Sequence, residues 1–145
     1  MKFVIQKVTH ASVTVEGQII GKIGKGFLVL IGIAENDTTE IADKLVKKLL
    51  GLRIFEDENN KMNLSIQDVK GEILAVSQFT LAADLSRGNR PGFETAARPD
   101  EAKYLYEYLV QQLQGYGLSL KTGIFQADMK VALINDGPCT FCLQK

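Results

Sequence analysis

The chain has 145 residues, 46% of them hydrophobic and 23% charged, a composition that fits one globular domain with a sizeable core. Seventeen basic residues balance seventeen acidic ones, which excludes bulk electrostatic attraction to nucleic acid and leaves room only for a short, local RNA contact, with no DNA partner. No run of about eighteen apolar residues occurs and Met1-Lys2-Phe3-Val4-Ile5-Gln6-Lys7 reads as a strand, so a cytoplasmic protein without a membrane partner is expected.

The first third of the chain is rich in strands. Residues 3–9 and 12–16 are β-branched segments, with His10 where one strand gives way to the next, and Glu16-Gly17-Gln18 is a natural turn. Gly24-Lys25-Gly26 turns the chain into Phe27-Leu28-Val29-Leu30-Ile31-Gly32-Ile33, a continuous apolar run expected to be covered on both faces. The period then changes. Ile41, Leu45, Leu49 and Leu52 recur at helical spacing behind the capping residues Asp37-Thr38-Thr39-Glu40, with Gly51 near the end. Residues 53–61 begin extended and become a polar loop; a strand over 72–82 follows. Residues 84–99 form the longest irregular stretch. Pro99 and Asp100 then open a second helix, with Ala102, Leu105, Leu109 and Leu113 on one face and its end at Gly115 or Gly117. A short extended piece at 118–121 and two strands, 130–135 and 139–143, complete the chain. The reading is one α/β (α+β) domain over residues 1–145. It has seven or eight strands in a mixed, mostly antiparallel sheet or barrel-like core, and two main helices.

Several common chemistries lack their residues. The only histidine is His10, read as a turn or surface residue, so neither a Ser-His-Asp triad nor a four-ligand zinc site assembles easily. Cys139 and Cys142 form a Cys-x-x-Cys in a strand-like setting, where i and i+3 side chains point to opposite faces; a structural role is expected rather than a redox pair. Gly21-Lys22-Ile23-Gly24-Lys25-Gly26 precedes a strand rather than a helix and reads as a turn, not a phosphate cradle.

Two polar, uncharged hexapeptides interrupt apolar runs. In Ser77-Gln78-Phe79-Thr80-Leu81-Ala82, a regular strand would make Gln78 and Thr80 same-face neighbours. They either satisfy nearby backbone in a sheet network or face a reacting carbonyl together with local N–H groups. In Asn135-Asp136-Gly137-Pro138-Cys139-Thr140, proline forbids a strand without a bulge, an edge or a break, and glycine lets another group approach its carbonyl. An ordinary turn between strands is the competing reading. Phe125 and Met129 are either core or a soft ligand lining, and Arg87, Arg90 and Arg98 either solvated loop cations or phosphate contacts.

The hexapeptides resemble the two signature motifs of the D-aminoacyl-tRNA deacylases, Ser-Gln-Phe-Thr and Asn-x-Gly-Pro-x-Thr. The likeness extends through Ala11-Ser12-Val13-Thr14-Val15, Arg53-Ile54-Phe55 with Lys61-Met62-Asn63, and Leu81-Ala82-Ala83-Asp84. The resemblance implies a homodimeric hydrolase that cleaves the ester between a D-amino acid and the 3′ end of tRNA, and that also clears glycyl-tRNA, without metal or organic cofactor. It implies a catalytic wall of Ser77, Gln78, Phe79 and Thr80. Gly137 and Pro138, as a cis pair, would enter the partner subunit's pocket, with Asn135, Phe125 and Met129 completing the substrate-binding set. Lys7 stands where many members carry an arginine that braces the Gly-Pro segment, and Cys139 where valine is usual. A non-catalytic binding module for the aminoacylated tRNA end is the alternative.

Overall fold

A computed structural model describes residues 1–145. The strands are β1 (Lys2–Val15), β2 (Gln18–Ile23), β3 (Gly26–Gly32), β4 (Phe55–Glu56), β5 (Met62–Leu64), β6 (Glu72–Ser77), β7 (Leu120–Thr122) and β8 (Lys130–Gln144). Helix α1 (Thr39–Leu50) lies between β3 and β4, and α2 (Pro99–Gln114) between β6 and β7. The main sheet is mixed. β1 pairs antiparallel with β2, β3 and β8, whereas β3–β6 and β6–β7 are parallel. Parallel neighbours need a long crossover, and each crossover here carries one helix.

The helices form for the reasons legible in the sequence. The Thr38 hydroxyl accepts from the Ile41 amide at the start of α1, Glu40 lies in the first turn, and Lys47 and Lys48 lie in the last. The stripe that faces the sheet is Ala42, Leu45, Val46, Leu49 and Leu50, one step round from the expected line, so Ile41 and Leu52 are only partly buried. Pro99 opens α2, Gly115 closes it, and Leu105, Tyr106, Leu109 and Leu113 are buried.

Two apolar layers result. Phe3, Ile5, Phe27, Val29, Ile31 and Ile73 meet the helices on one face. Val8, Ala11, Val13, Ile23, Leu28, Leu74 and Val76 fill the other. β3 therefore contributes to both layers, as its unbroken apolar run requires. The sheet curls until β2 lies over β6 and β7: a side chain at Gly21 would sit 3.1 Å from the Thr122 carbonyl and 3.3 Å from Leu74. It is nearly a closed barrel. No helix is long and apolar enough to cross a membrane.

Two expectations fail in the same way. β1 is one strand, not two, and exposed His10 lies within it rather than at a junction. β8 is likewise one strand running through Gly137-Pro138, not two joined by a turn. Pairing tolerates both because it slips: Val8 opposes Asn135 and Gln6 opposes Thr140, so residues 136–139 bulge out opposite Lys7.

Candidate active site

Ser77 is the last residue of β6, paired with Ile31 of the neighbouring β3. The strand expected to continue to residue 82 stops there. Gln78 makes the final ladder bond, N–H to the Ile31 carbonyl at 2.7 Å, and Phe79–Ala82 wind into a 3-10 turn. The cause is local. β3 ends at Gly32, whose missing side chain is where Leu81 packs; a Cβ there would lie 2.6 Å from that of Leu81. The Leu81 amide closes onto the Gln78 carbonyl at 3.2 Å and Lys2 Nζ donates to the Leu81 carbonyl at 3.1 Å.

The turn still joins the two polar side chains that strand geometry would have joined. Gln78 Nε2 donates to Thr80 Oγ1 at 2.5 Å. With one lone pair so occupied, the Thr80 hydroxyl keeps its proton for an outside acceptor. The amides of Phe79 and Thr80, first in the turn, have no acceptor within the chain. Phe79 is 61% exposed and its ring meets that of Phe93 at 5.0 Å between centroids.

Beside this turn opens a cleft of about 540 Å³, lying at the carboxyl ends of the parallel strands β3 and β6. Ser77, Gln78 and Phe79 line one wall, and Phe125 and Met129 another. Phe125 packs on Tyr106 at 5.9 Å, and the Tyr106 hydroxyl donates to the Ala75 carbonyl at 2.9 Å. Burial pushes the Tyr106 phenol far above its ordinary range, so it remains a proton donor. Asp128, the carboxylate on the lining, is 2.8 Å from Lys130. Sequence reasoning missed the floor, Ile31 and Ile33, and the roof, Ala97, Pro99 and Ala102. Their apolar character was visible, but only the β3–β6 register and the start of α2 place them together.

Asn135, Gly137 and Pro138 lie elsewhere on the chain. Asn135 ties the bulge shut: its Nδ2 donates to Thr140 Oγ1 at 2.8 Å, and its Oδ1 accepts the Cys139 amide at 2.6 Å. Gly137 and Pro138, joined by a cis bond, are exposed at the crest. Gly137 has φ +133°, a conformation closed to side chains. Beneath the crest, Lys7 is buried with its Nζ 3.6 Å from the Asp136 carboxylate. Cys139 is buried as well, and burial raises its thiol pKa, with nearby Lys7 opposing and Asp136 adding to the shift; Cys142 is exposed. Measured along the sheet, the crest and Ser77 are three strands and four residues apart, about 14 Å by about 13 Å. One chain does not bring its two motifs together.

Comparison with known proteins shows the family. The family described as D-Tyr-tRNA(Tyr) deacylase matches residues 4–144. Curated relatives named D-aminoacyl-tRNA deacylase include one from Geotalea uraniireducens, 56% identical over 99% of this chain and 93% of its own. Another, from Pelobacter propionicus, is 52% identical over the full length of both. Among solved structures, one named c-Myc DNA Unwinding Element Binding Protein superposes with a TM-score of 0.95 at 44% identity, covering 100% of this chain and 99% of that one. A probable eukaryotic D-amino acid tRNA deacylase superposes at 0.84 over 98% of both chains, and at 17% identity it shows the shared fold alone.

Proposed function

This chain belongs to the D-Tyr-tRNA(Tyr) deacylase family, and from that premise we propose a mechanism for the hydrolysis of D-aminoacyl-tRNA. The activity is carried by one observation: identity of 52% over the entire length of a relative with that name, a span that includes both hexapeptides.

The substrate ester is already activated, so catalysis needs position and charge stabilisation more than a strong nucleophile. The terminal adenosine occupies the cleft between Phe125 and Met129, and the ester carbonyl lies at the 3-10 turn. Water adds to that carbonyl, assisted by the substrate's own 2′-hydroxyl. The amides of Phe79 and Thr80, free of acceptors within the chain, hold the developing oxyanion. Collapse breaks the bond to the 3′-oxygen, which leaves with a proton, giving free D-amino acid and tRNA. Thr80 positions rather than attacks. Its side-chain partner is the Gln78 amide group, which cannot take up a proton as a nucleophile's base must.

The stereochemical filter is assigned to a second subunit. We infer a homodimer in which the exposed Gly137-Pro138 crest of one protomer enters the cleft of the other. Its main-chain carbonyls accept the substrate's α-ammonium group, and rigid backbone fills the space an L side chain needs. The separation of the two motifs on one chain supports this division. Glycine has no side chain to exclude, so glycyl-tRNA passes the same filter and is a second substrate. The DNA partner in the name of one similar structure belongs to that protein and is not assigned to this chain.

The deciding experiment is hydrolysis of D- and L-tyrosyl-tRNA by the purified protein. Release of D-tyrosine alone is expected. Equal rates on both, or binding of the D form without turnover, overturns the reading.

A further inference from the structure

The chain has four arginines, and three of them fall within residues 84–98. Arg53 donates to Asn63 and Arg98 lies 3.9 Å from Asp100. Arg87 and Arg90 are exposed and have no carboxylate within ion-pair distance. They are the only charged residues of the tip 85–91. In a chain with no net charge, two unpaired guanidinium groups three residues apart make the tip of this loop cationic.

That tip is held in place. Asp84 and Gly92 exchange backbone hydrogen bonds of 2.8 and 3.0 Å, closing the tip into a narrow loop. The Asp84 carboxylate accepts the Ser86 amide at 2.9 Å and forms no ion pair with Arg87. At the foot, Thr95 Oγ1 donates to the Ala82 carbonyl at 2.7 Å and the Phe93 ring rests on Phe79. The loop is thus fastened to the turn proposed as the catalytic wall, and its two arginines are exposed near its tip.

We propose that Arg87 and Arg90 grip backbone phosphates of the single-stranded 3′ end of the tRNA. The proposal rests on the deacylase reading of the cleft and adds the surface that takes the nucleotides preceding the terminal adenosine. The planar five-donor guanidinium suits phosphate oxygens better than an ammonium does. Two such contacts fit a protein that binds a short strand locally and has no broad basic face. They also fit the exposed Phe79–Phe93 pair at the foot of the same loop, since single strands are held by charge together with stacking.

The test compares two substrates, D-tyrosyl-tRNA and D-tyrosyl-adenosine, which carries no phosphate, with Arg87→Ala/Arg90→Ala and the charge-preserving Arg87→Lys/Arg90→Lys. Loss of both guanidinium groups raises KM for the tRNA about tenfold or more. It changes kinetics on D-tyrosyl-adenosine less than twofold, and the lysine pair recovers part of the loss. In parallel, binding of uncharged tRNA is titrated against salt; the alanine pair lowers the slope of log K on log salt by about 1.4, two single-strand phosphates' worth. An unchanged salt slope and tRNA KM overturn the proposal. Equal losses on both substrates also overturn it, because the loop would then shape the cleft instead. A native protein that hydrolyses neither substrate but binds tRNA through Arg87 and Arg90 refutes the catalytic reading and leaves the phosphate surface standing.

Discussion

Thr80 is an exposed hydroxyl whose oxygen accepts from Gln78, and the proposed mechanism gives it a positioning role. Thr80→Ala is expected to slow deacylation about tenfold to a hundredfold, less than loss of an oxyanion donor, and no acyl-enzyme accumulates in the native protein. Complete inactivity of the variant, with an acylated Thr80 trapped in the native enzyme by mass spectrometry, contradicts that role. Cys139 is the opposite case, a buried thiol whose proton is held by burial. Iodoacetamide at neutral pH should leave it unmodified in the folded protein and alkylate it promptly in denaturant. Rapid modification without unfolding shows the site to be open. These residues also mark what sequence could reveal. The hexapeptide at Ser77 announced itself by placing uncharged polar groups in an apolar run, yet its turn was invisible, because it depends on Gly32 of another strand making room for Leu81.

At the scale of elements, α2 is attached to the sheet by apolar contacts and one buried hydrogen bond, Tyr106 to the Ala75 carbonyl. That carbonyl also accepts the Gly123 amide at 3.1 Å, so Tyr106→Phe leaves it satisfied and should cost only about 1 kcal/mol in chemical denaturation. A loss of about 3 kcal/mol or more would show that the hydroxyl has a larger part than this geometry gives it. The polar loops are ordered by aspartates instead. Asp57 accepts the Lys61 and Asn59 amides, Asp68 accepts the Ser65 hydroxyl and amide, and Asp84 bonds Ser86; each pKa is pulled below the ordinary carboxylate value by those bonds. Groups with depressed folded pKa values stabilise fully above their unfolded pKa, and the stability is lost as pH falls through the folded pKa. Thermal unfolding should therefore be level above about pH 4.5 and decline below about pH 4. A melting temperature that rises on acidification through that window contradicts the assignment. Both helices were legible because a 3.6-residue period needs no partner to be seen. The continuity of β1 and β8 was not, because His10 and Gly137-Pro138 look like stops until the partner strand shows that the pairing slips around them.

For the whole molecule, the cleft and the crest lie apart on one chain, and the proposed homodimer would make activity a property of pairs. Gly137→Arg blocks the crest and Phe79→Pro removes an oxyanion-holding amide from the wall. Each homodimer should be inactive or nearly so, whereas mixing the two restores activity, because half of the heterodimer's clefts receive an intact wall and an intact crest. Sedimentation at working concentration checks the dimer; a monomer, or mixtures that stay inactive, refutes the shared site. The bulge at the crest has one more consequence. β8 pairs with β1 alone, so its other edge presents open backbone groups along a fifteen-residue strand. An edge that long and regular invites stray strands to add to it. Pro138 withholds a donor midway, and residues 136–139 leave the line, cutting the paired edge into runs of six and five residues. The segment assigned to discriminating between mirror-image substrates is thereby also a guard against aggregation.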